Sequence, residues 1–119
     1  MKMTITDITC DAVCSNIEGN DDLFLLIQAD CGPPIRYPVM GGYELEKGQS
    51  MELPDGGLEV DYETGALVQA FDQDSKIVVN ANQPDYLFSF ACTTKSTTKT
   101  FTTSNPNGAS YTYTRTISS

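Results

Sequence analysis

The stretch that decides the fold class runs from Thr97 to Ser118 and reads TTKTFTTSNPNGASYTYTRTIS. Thr97, Lys99, Phe101 and Thr103 fall on one face of an extended chain, and residues 111–117 alternate in the same way. The sequence Asn-Pro-Asn-Gly between the two halves is typical of a tight turn. The stretch therefore predicts an antiparallel hairpin.

Segments on the N-terminal side of this hairpin also have strand-like patterns. Residues 23–27 are apolar on both faces, as in a central strand, whereas residues 58–63 alternate between apolar and acidic side chains. Further short apolar runs are separated by glycine and proline, and no stretch of ten residues has helical spacing with caps. The pattern predicts an all-β antiparallel sandwich or barrel of about eight strands. The length of 119 residues fits a single domain spanning 1–119.

Composition excludes several classes of function. The chain has 16 acidic and 7 basic residues, a net charge of −9 and no histidine. Such a chain is repelled by phosphate backbones, so we expect no nucleic-acid binding, and contact with anionic lipid only through a cation. Without histidine, the common catalytic triads and dyads are absent. The acidic side chains of residues 59–63 fit a solvated strand face, so we expect no enzyme activity.

The cysteines and the N-terminus bear on the cellular compartment. Small buried thiols are the favoured interpretation of Cys10, Cys14, Cys31 and Cys92; disulfides and a zinc site are the alternatives. The first residues contain no apolar run of the signal-peptide kind, and no run is long enough to span a membrane. We therefore expect a cytoplasmic protein, with non-classical secretion left open.

Acidic residues at strand ends are the most informative local feature. Asp22 precedes the most apolar run, Asp72 and Asp74 follow another, and Asp85 closes the same long loop. If these carboxylates share one rim, their repulsion requires a cation, partial protonation or wide spacing. Oxygen ligands in loops suit calcium, which predicts a Ca²⁺ site. The alternative is that they are solvated loop residues with turn preferences.

Three of these segments resemble the C2 domain, an eight-stranded β-sandwich that commonly binds calcium and phospholipid through loops at one end. Residues 19–27 resemble the family's loop-into-strand motif, with Asp22 at the position of its aspartate. Residues 70–74 resemble its hydrophobic-Asp-x-Asp loop, and residues 85–87 resemble the close of that loop. The order and spacing of these segments cover most of the chain. The resemblance implies an antiparallel eight-stranded C2-like β-sandwich that binds Ca²⁺.

The sequence departs from the family pattern in three places. Leu23 replaces the motif's proline, and the loop from Asp74 to Asp85 is longer than usual. The earlier ligand of the first loop falls at Asn16, so that Glu18 is the nearest carboxylate. The ligand set that the resemblance implies is therefore Glu18, Asp22, Asp72, Asp74 and Asp85.

The long loop also contains Ile77, Val78 and Val79, three adjacent β-branched residues. At an exposed loop tip they suit insertion into a lipid interface, and the alternative is a short packed strand. The leading prediction is a module for calcium-dependent binding to anionic phospholipid or a protein partner. The runner-up is a calcium-independent structural or interaction module, such as an accessory of a bacterial or toxin assembly. The sequence leaves the oligomeric state open.

Overall fold

A computed structural model describes residues 1–13, 21–72, 85–104 and 108–119, with only the backbone of Asp85 described. These residues form nine strands: β1 (Lys2–Ala12), β2 (Asp21–Ala29), β3 (Ile35–Tyr37), β4 (Tyr43–Leu45), β5 (Leu58–Asp61), β6 (Ala66–Asp72), β7 (Asp85–Cys92), β8 (Thr97–Ser104) and β9 (Ser110–Ser118). No helix in this part of the chain is long and apolar enough to cross a membrane.

The strands form two antiparallel sheets. The first sheet has the order β5-β1-β9-β8, and the second has the order β3-β2-β6-β7. Strand β4 also pairs with β2, beyond the end of β3 and along the same edge. Since β3 and β4 share one edge, each sheet has four strand positions. The predicted eight-stranded antiparallel sandwich is confirmed, with one edge strand divided in two.

The hairpin that decided the fold class is confirmed as β8 and β9. These strands pair in unbroken register from Thr97 opposite Ile117 to Ser104 opposite Ser110. The outer face of this hairpin is held by hydroxyl–hydroxyl hydrogen bonds of about 3 Å between threonines, namely Thr98–Thr116, Thr100–Thr114 and Thr102–Thr112. Residues 105–107 of the predicted turn at 105–108 lie outside the described residues.

The prediction of a buried central strand at residues 23–27 is confirmed. Strand β2 lies between β6 and the divided edge, and its inner side chains Leu23, Leu25 and Ile27 are buried in the core. On the outer face, Phe24 is covered by the Phe71 ring and by the Arg36 guanidinium, which lies 4.0 Å from the Phe24 ring centre. Both faces of β2 are therefore apolar because both are covered.

The cysteines have three different positions. Cys10 and Cys92 are buried free thiols, as predicted, and burial raises the pKa of each thiol. Cys31 is exposed, so the buried interpretation is wrong there, because Cys31 lies in the turn after β2 rather than inside a strand. Cys14 lies outside the described residues.

Candidate functional site

Two strand pairs bring the start of β2, the end of β6 and the start of β7 to the same end of the sandwich. The register places Leu23 opposite Asp72, and Asp72 opposite Asp85. A hydrogen bond from Tyr111 at the start of β9 to Asp21 joins the first sheet to this end. We call the region around Asp21, Asp22 and Asp72 the acidic end.

Asp72 is more enclosed than Asp22, the other predicted ligand whose side chain the structure describes. Its side chain is 0% exposed and lies on the inner face of β6, in line with Val68 and Ala70. The backbone N–H of Asp22 donates a hydrogen bond of 2.9 Å to Asp72 Oδ1. Buried carboxylates are rare because desolvation is costly, so this N–H helps to hold Asp72 in place at the acidic end.

Asp21 is a second buried carboxylate, and the sequence pattern did not indicate it. It is 1% exposed and lies on the inner face of β2 with Leu23 and Leu25. The Tyr111 hydroxyl donates a hydrogen bond of 2.6 Å to Asp21 Oδ2. Its alternation with Leu23 and Leu25 was available in the sequence. That signal was hidden because Phe24 and Leu26 make the other face of the strand apolar too.

Tyr111 links the two sheets at this end. It is fully buried, and burial together with the Asp21 carboxylate raises its pKa far above the ordinary value of 10. The phenol therefore remains protonated at neutral pH and acts as a hydrogen-bond donor to Asp21. This neutral donor supports the buried Asp21 carboxylate.

Asp22 lies on the opposite face of β2 from Asp21, as strand alternation requires. Its side chain is half-buried, and its register partner on β4 is Glu44. Gly42 lies against the Asp22 backbone so closely that a Cβ at position 42 would lie 2.7 Å from the Asp22 carbonyl oxygen. The backbone N–H of Asp22 thus donates to Asp72, whose side chain is on the inner face, whereas the side chain of Asp22 itself is on the outer face.

The structure brings together part of the predicted ligand set. Asp22 and Asp72 are adjacent, and Asp85 stands opposite Asp72 by register, as the sequence predicted for the close of the loop. Glu18 and Asp74 lie outside the described residues, as do Ile77, Val78 and Val79. The carboxylate and backbone oxygens at this end have the hard-donor chemistry that calcium takes. Within the described ranges, however, no group of three or more acidic, cysteine or histidine side chains clusters closely enough to hold a metal ion.

At the other end of the sandwich, Asp30 is in a different setting. Asp30 follows β2, with a positive φ of 54°, and its side chain is exposed. Its Oδ1 accepts hydrogen bonds from the Thr64 and Gly65 backbone N–H groups and from the Thr64 hydroxyl, and both oxygens face the Glu63 N–H. These donors, the Glu63 N–H foremost, hold the pKa of Asp30 well below its ordinary value. Asp30 therefore fastens a turn.

Comparison with solved structures supports the fold. A solved structure titled "Structure of a C2 domain" aligns with a TM-score of 0.53 and 13% sequence identity, covering 100% of this chain and 99% of that chain. The fold is C2-like. No family model and no curated protein matches the sequence. The predicted C2-like β-sandwich is thus confirmed, and at this identity the likeness concerns the fold alone.

Proposed function

We propose that this C2-like domain is a calcium-binding module that uses the acidic end to bind an anionic phospholipid surface or a protein partner. The observation that carries the proposal is the pair of buried carboxylates, Asp21 and Asp72, on adjacent strands at the end where the acidic loops join the sandwich. Burying two like charges side by side is costly unless positive charge or strong donors lie near them.

The described residues have separate roles in this proposal. Asp72 is the ligand, and the Asp22 N–H fixes its orientation. Asp21 is positioned by Tyr111 and adds negative charge behind the ligand. Glu18, Asp22, Asp74 and Asp85 are the further ligands, as the sequence predicts. Calcium supplies positive charge at the acidic end and takes its remaining oxygen ligands from the partner.

A thermal melt with calcium, magnesium or chelator tests the metal site. Millimolar calcium should raise the melting temperature, because a ligand at 100 times its dissociation constant stabilises the fold by about 2.7 kcal/mol. Magnesium should do much less, because it requires stricter octahedral geometry and loses water reluctantly. An unchanged melting temperature in calcium would contradict the metal site.

Substitutions distinguish a specific calcium site from a general effect of the protein's net charge. Asp72→Asn keeps an oxygen that accepts the Asp22 N–H but loses the charge, so it should abolish the calcium shift and leave the calcium-free protein folded. Glu59→Gln and Glu63→Gln each remove one negative charge at an exposed position away from the acidic end and should leave the shift intact. If all three variants respond alike, the calcium effect is one of net charge.

Vesicle sedimentation tests the membrane part of the proposal. Binding should require calcium and anionic lipid together, because the net charge of −9 repels such vesicles without a cation. Replacing Val78 and Val79 by serine should weaken vesicle binding and preserve the calcium melting shift, since those residues supply apolar area rather than ligands. Calcium stabilisation without vesicle binding under any condition would assign the ion a structural role or leave a protein as the partner.

A calcium-independent interaction module is the second candidate. Asp72 and Asp21 each accept a hydrogen bond from within the protein, from the Asp22 N–H and the Tyr111 hydroxyl. Donors of this kind reduce the cost of a buried carboxylate without a metal. The melt described above decides between the two candidates, because only the first predicts a specific response to calcium.

A further inference from the structure

Among the described strands, none bridges the edge strands β3 and β5, so the sandwich is open along this side. A groove of about 330 Å³ lies between them, with Ile27 and Ala29 among its lining residues. Ile35 and Leu58 flank it on the two edge strands. We call this feature the side groove. It lies apart from the acidic end, on the half of β2 that leads to Asp30.

Ile35 shows how open the side groove is. Its register partner is Ile27, so its side chain is on the inner face of the second sheet, where core residues lie. Ile35 is nevertheless 63% exposed, whereas Ile27 is buried. On the opposite strand, Leu58 and Val60 also face inward and are only half-buried. An inner face normally faces another layer, and here the apolar walls face solvent.

The loop beside β3 adds to this apolar surface and is firmly held. Val39 and Met40 are 81% and 84% exposed. Arg36 holds their loop in place. Its guanidinium donates hydrogen bonds to the Pro38 and Gly41 carbonyl oxygens and also packs against the Phe24 ring. A fixed loop that displays apolar side chains next to an apolar groove has the character of an interaction surface.

Within the described part of the chain β5 pairs with β1 alone, so the free edge of β5 has backbone groups that point outward. Met1 and Tyr62 exchange two backbone hydrogen bonds, so in the antiparallel register Val60 and Leu58 also bond to β1. The N–H and C=O groups of Glu59 and Asp61 then point away from β1, toward the open edge. Such an edge is a template for an added strand.

The residues along the β5 edge determine which side chains an added strand would need. Its residues would alternate between the two faces of the first sheet. On the outer face they would neighbour Glu59 and Asp61, which are exposed acids, and on the inner face they would lie over Leu58, Val60 and Ile35. Lys2 pairs with Glu59 at 3.4 Å, but an exposed pair of this kind is weak and does not neutralise the edge.

We propose that the side groove binds an extended segment of a partner protein in which basic and apolar residues alternate, added as a strand along the free edge of β5. The basic side chains meet Glu59 and Asp61, and the apolar side chains cover Leu58, Val60 and Ile35. This binding uses a different surface from the acidic end and needs no calcium, so it stands or falls separately from the calcium proposal.

A fluorescent synthetic peptide of alternating lysine and valine, titrated in chelator, tests the charge requirement. Asp61→Lys should weaken binding about tenfold, which corresponds to ~1.4 kcal/mol. Glu46→Lys makes the same change in net charge at an exposed position away from the groove and should have little effect. Equal losses in both variants would mean nonspecific attraction to an acidic protein and would overturn the proposal.

Ile35→Asp distinguishes apolar contact in the side groove from simple charge attraction as the cause of peptide binding. The variant adds a negative charge, so simple attraction predicts tighter binding of the cationic peptide, whereas loss of the apolar wall predicts weaker binding. We expect binding about tenfold weaker. Because Ile35 is already exposed, the variant should melt close to the unmodified protein. Unchanged or tighter binding would overturn the proposal.

Hydrogen exchange locates the peptide on the edge. Peptide should slow exchange at the Glu59 and Asp61 amides, which point outward, and leave the Leu58 and Val60 amides unchanged, since those already bond to β1. Equal protection of all four amides would contradict strand addition. Sedimentation without peptide provides a further check: self-association that Ile35→Asp abolishes would identify a second copy as the occupant and overturn the proposed partner.

Discussion

The two ends of the sandwich place aspartate in opposite environments. At one end Asp30 is exposed and accepts hydrogen bonds from Glu63, Thr64 and Gly65, which fasten a turn. At the other end Asp21 and Asp72 are buried on inner strand faces. The hydrogen bonds that Asp30 accepts are enough to explain it as a structural residue of the turn. Two buried carboxylates on adjacent strands are costly for the fold, and that cost is the reason to look for function at the acidic end.

The largest expected loss of stability is at the acidic end, in the variant Tyr111→Phe. Removing the hydroxyl takes a donor from the buried Asp21 carboxylate and should reduce the free energy of unfolding by about 1–3 kcal/mol. Chemical denaturation in chelator measures it. The matched control is Tyr86→Phe, whose exposed hydroxyl bonds to Ser89 and should matter much less. Equal losses would mean that Asp21 does not depend on Tyr111.

The same variant should change the alkaline limb of stability. The pKa of Tyr111 is higher in the folded state than the ordinary value of 10, so its contribution is fully present below pH 10 and is lost as pH rises further. Above pH 10, Tyr111→Phe should therefore lose stability less steeply than the unmodified protein, by up to about 1.4 kcal/mol per pH unit. Parallel alkaline limbs would contradict the assignment.

The smallest change in stability is expected at the opposite end of the sandwich, in the variant Asp30→Asn. Asparagine tolerates the positive φ of this position, so the variant removes charge with little backbone strain. The pKa of Asp30 is lowered on folding, so its contribution is present above the ordinary value of 3.8 and is lost as pH falls below it. The variant should be slightly less stable at neutral pH and should lose less stability in acid. Asp55→Asn, at an exposed turn, is the control.

The sequence predicted the parts of the fold that follow from periodicity. The threonine-rich hairpin and the doubly apolar strand β2 appear where the pattern placed them. The division of one edge into β3 and β4 was not predictable, because three-residue strands carry too few positions for a periodic signal. The open side groove was also hidden, since no pattern within Leu58–Asp61 shows whether another strand covers it.

The candidate site was predictable in location and less so in detail. Spacing brought Asp22, Asp72 and Asp85 to one end, and the register agrees. Spacing could not tell that Asp21 rather than Asp22 faces inward, because the following residues are apolar on both faces. Nor could it place Tyr111 beside Asp21, since the contact spans 90 positions along the chain. Contacts between sheets depend on packing, which a single sequence does not display.

A calcium titration followed by residue-resolved amide NMR tests the central claim most directly, because it compares the two ends in one experiment. The amides of Asp22 and Asp72 should show large, saturable shifts, since one donates to the proposed ligand and the other belongs to it. The amides of Glu63, Thr64 and Gly65, which bond to Asp30, should scarcely move. Shifts that are weak and unsaturable, or centred on Asp30, would contradict a calcium site at the acidic end.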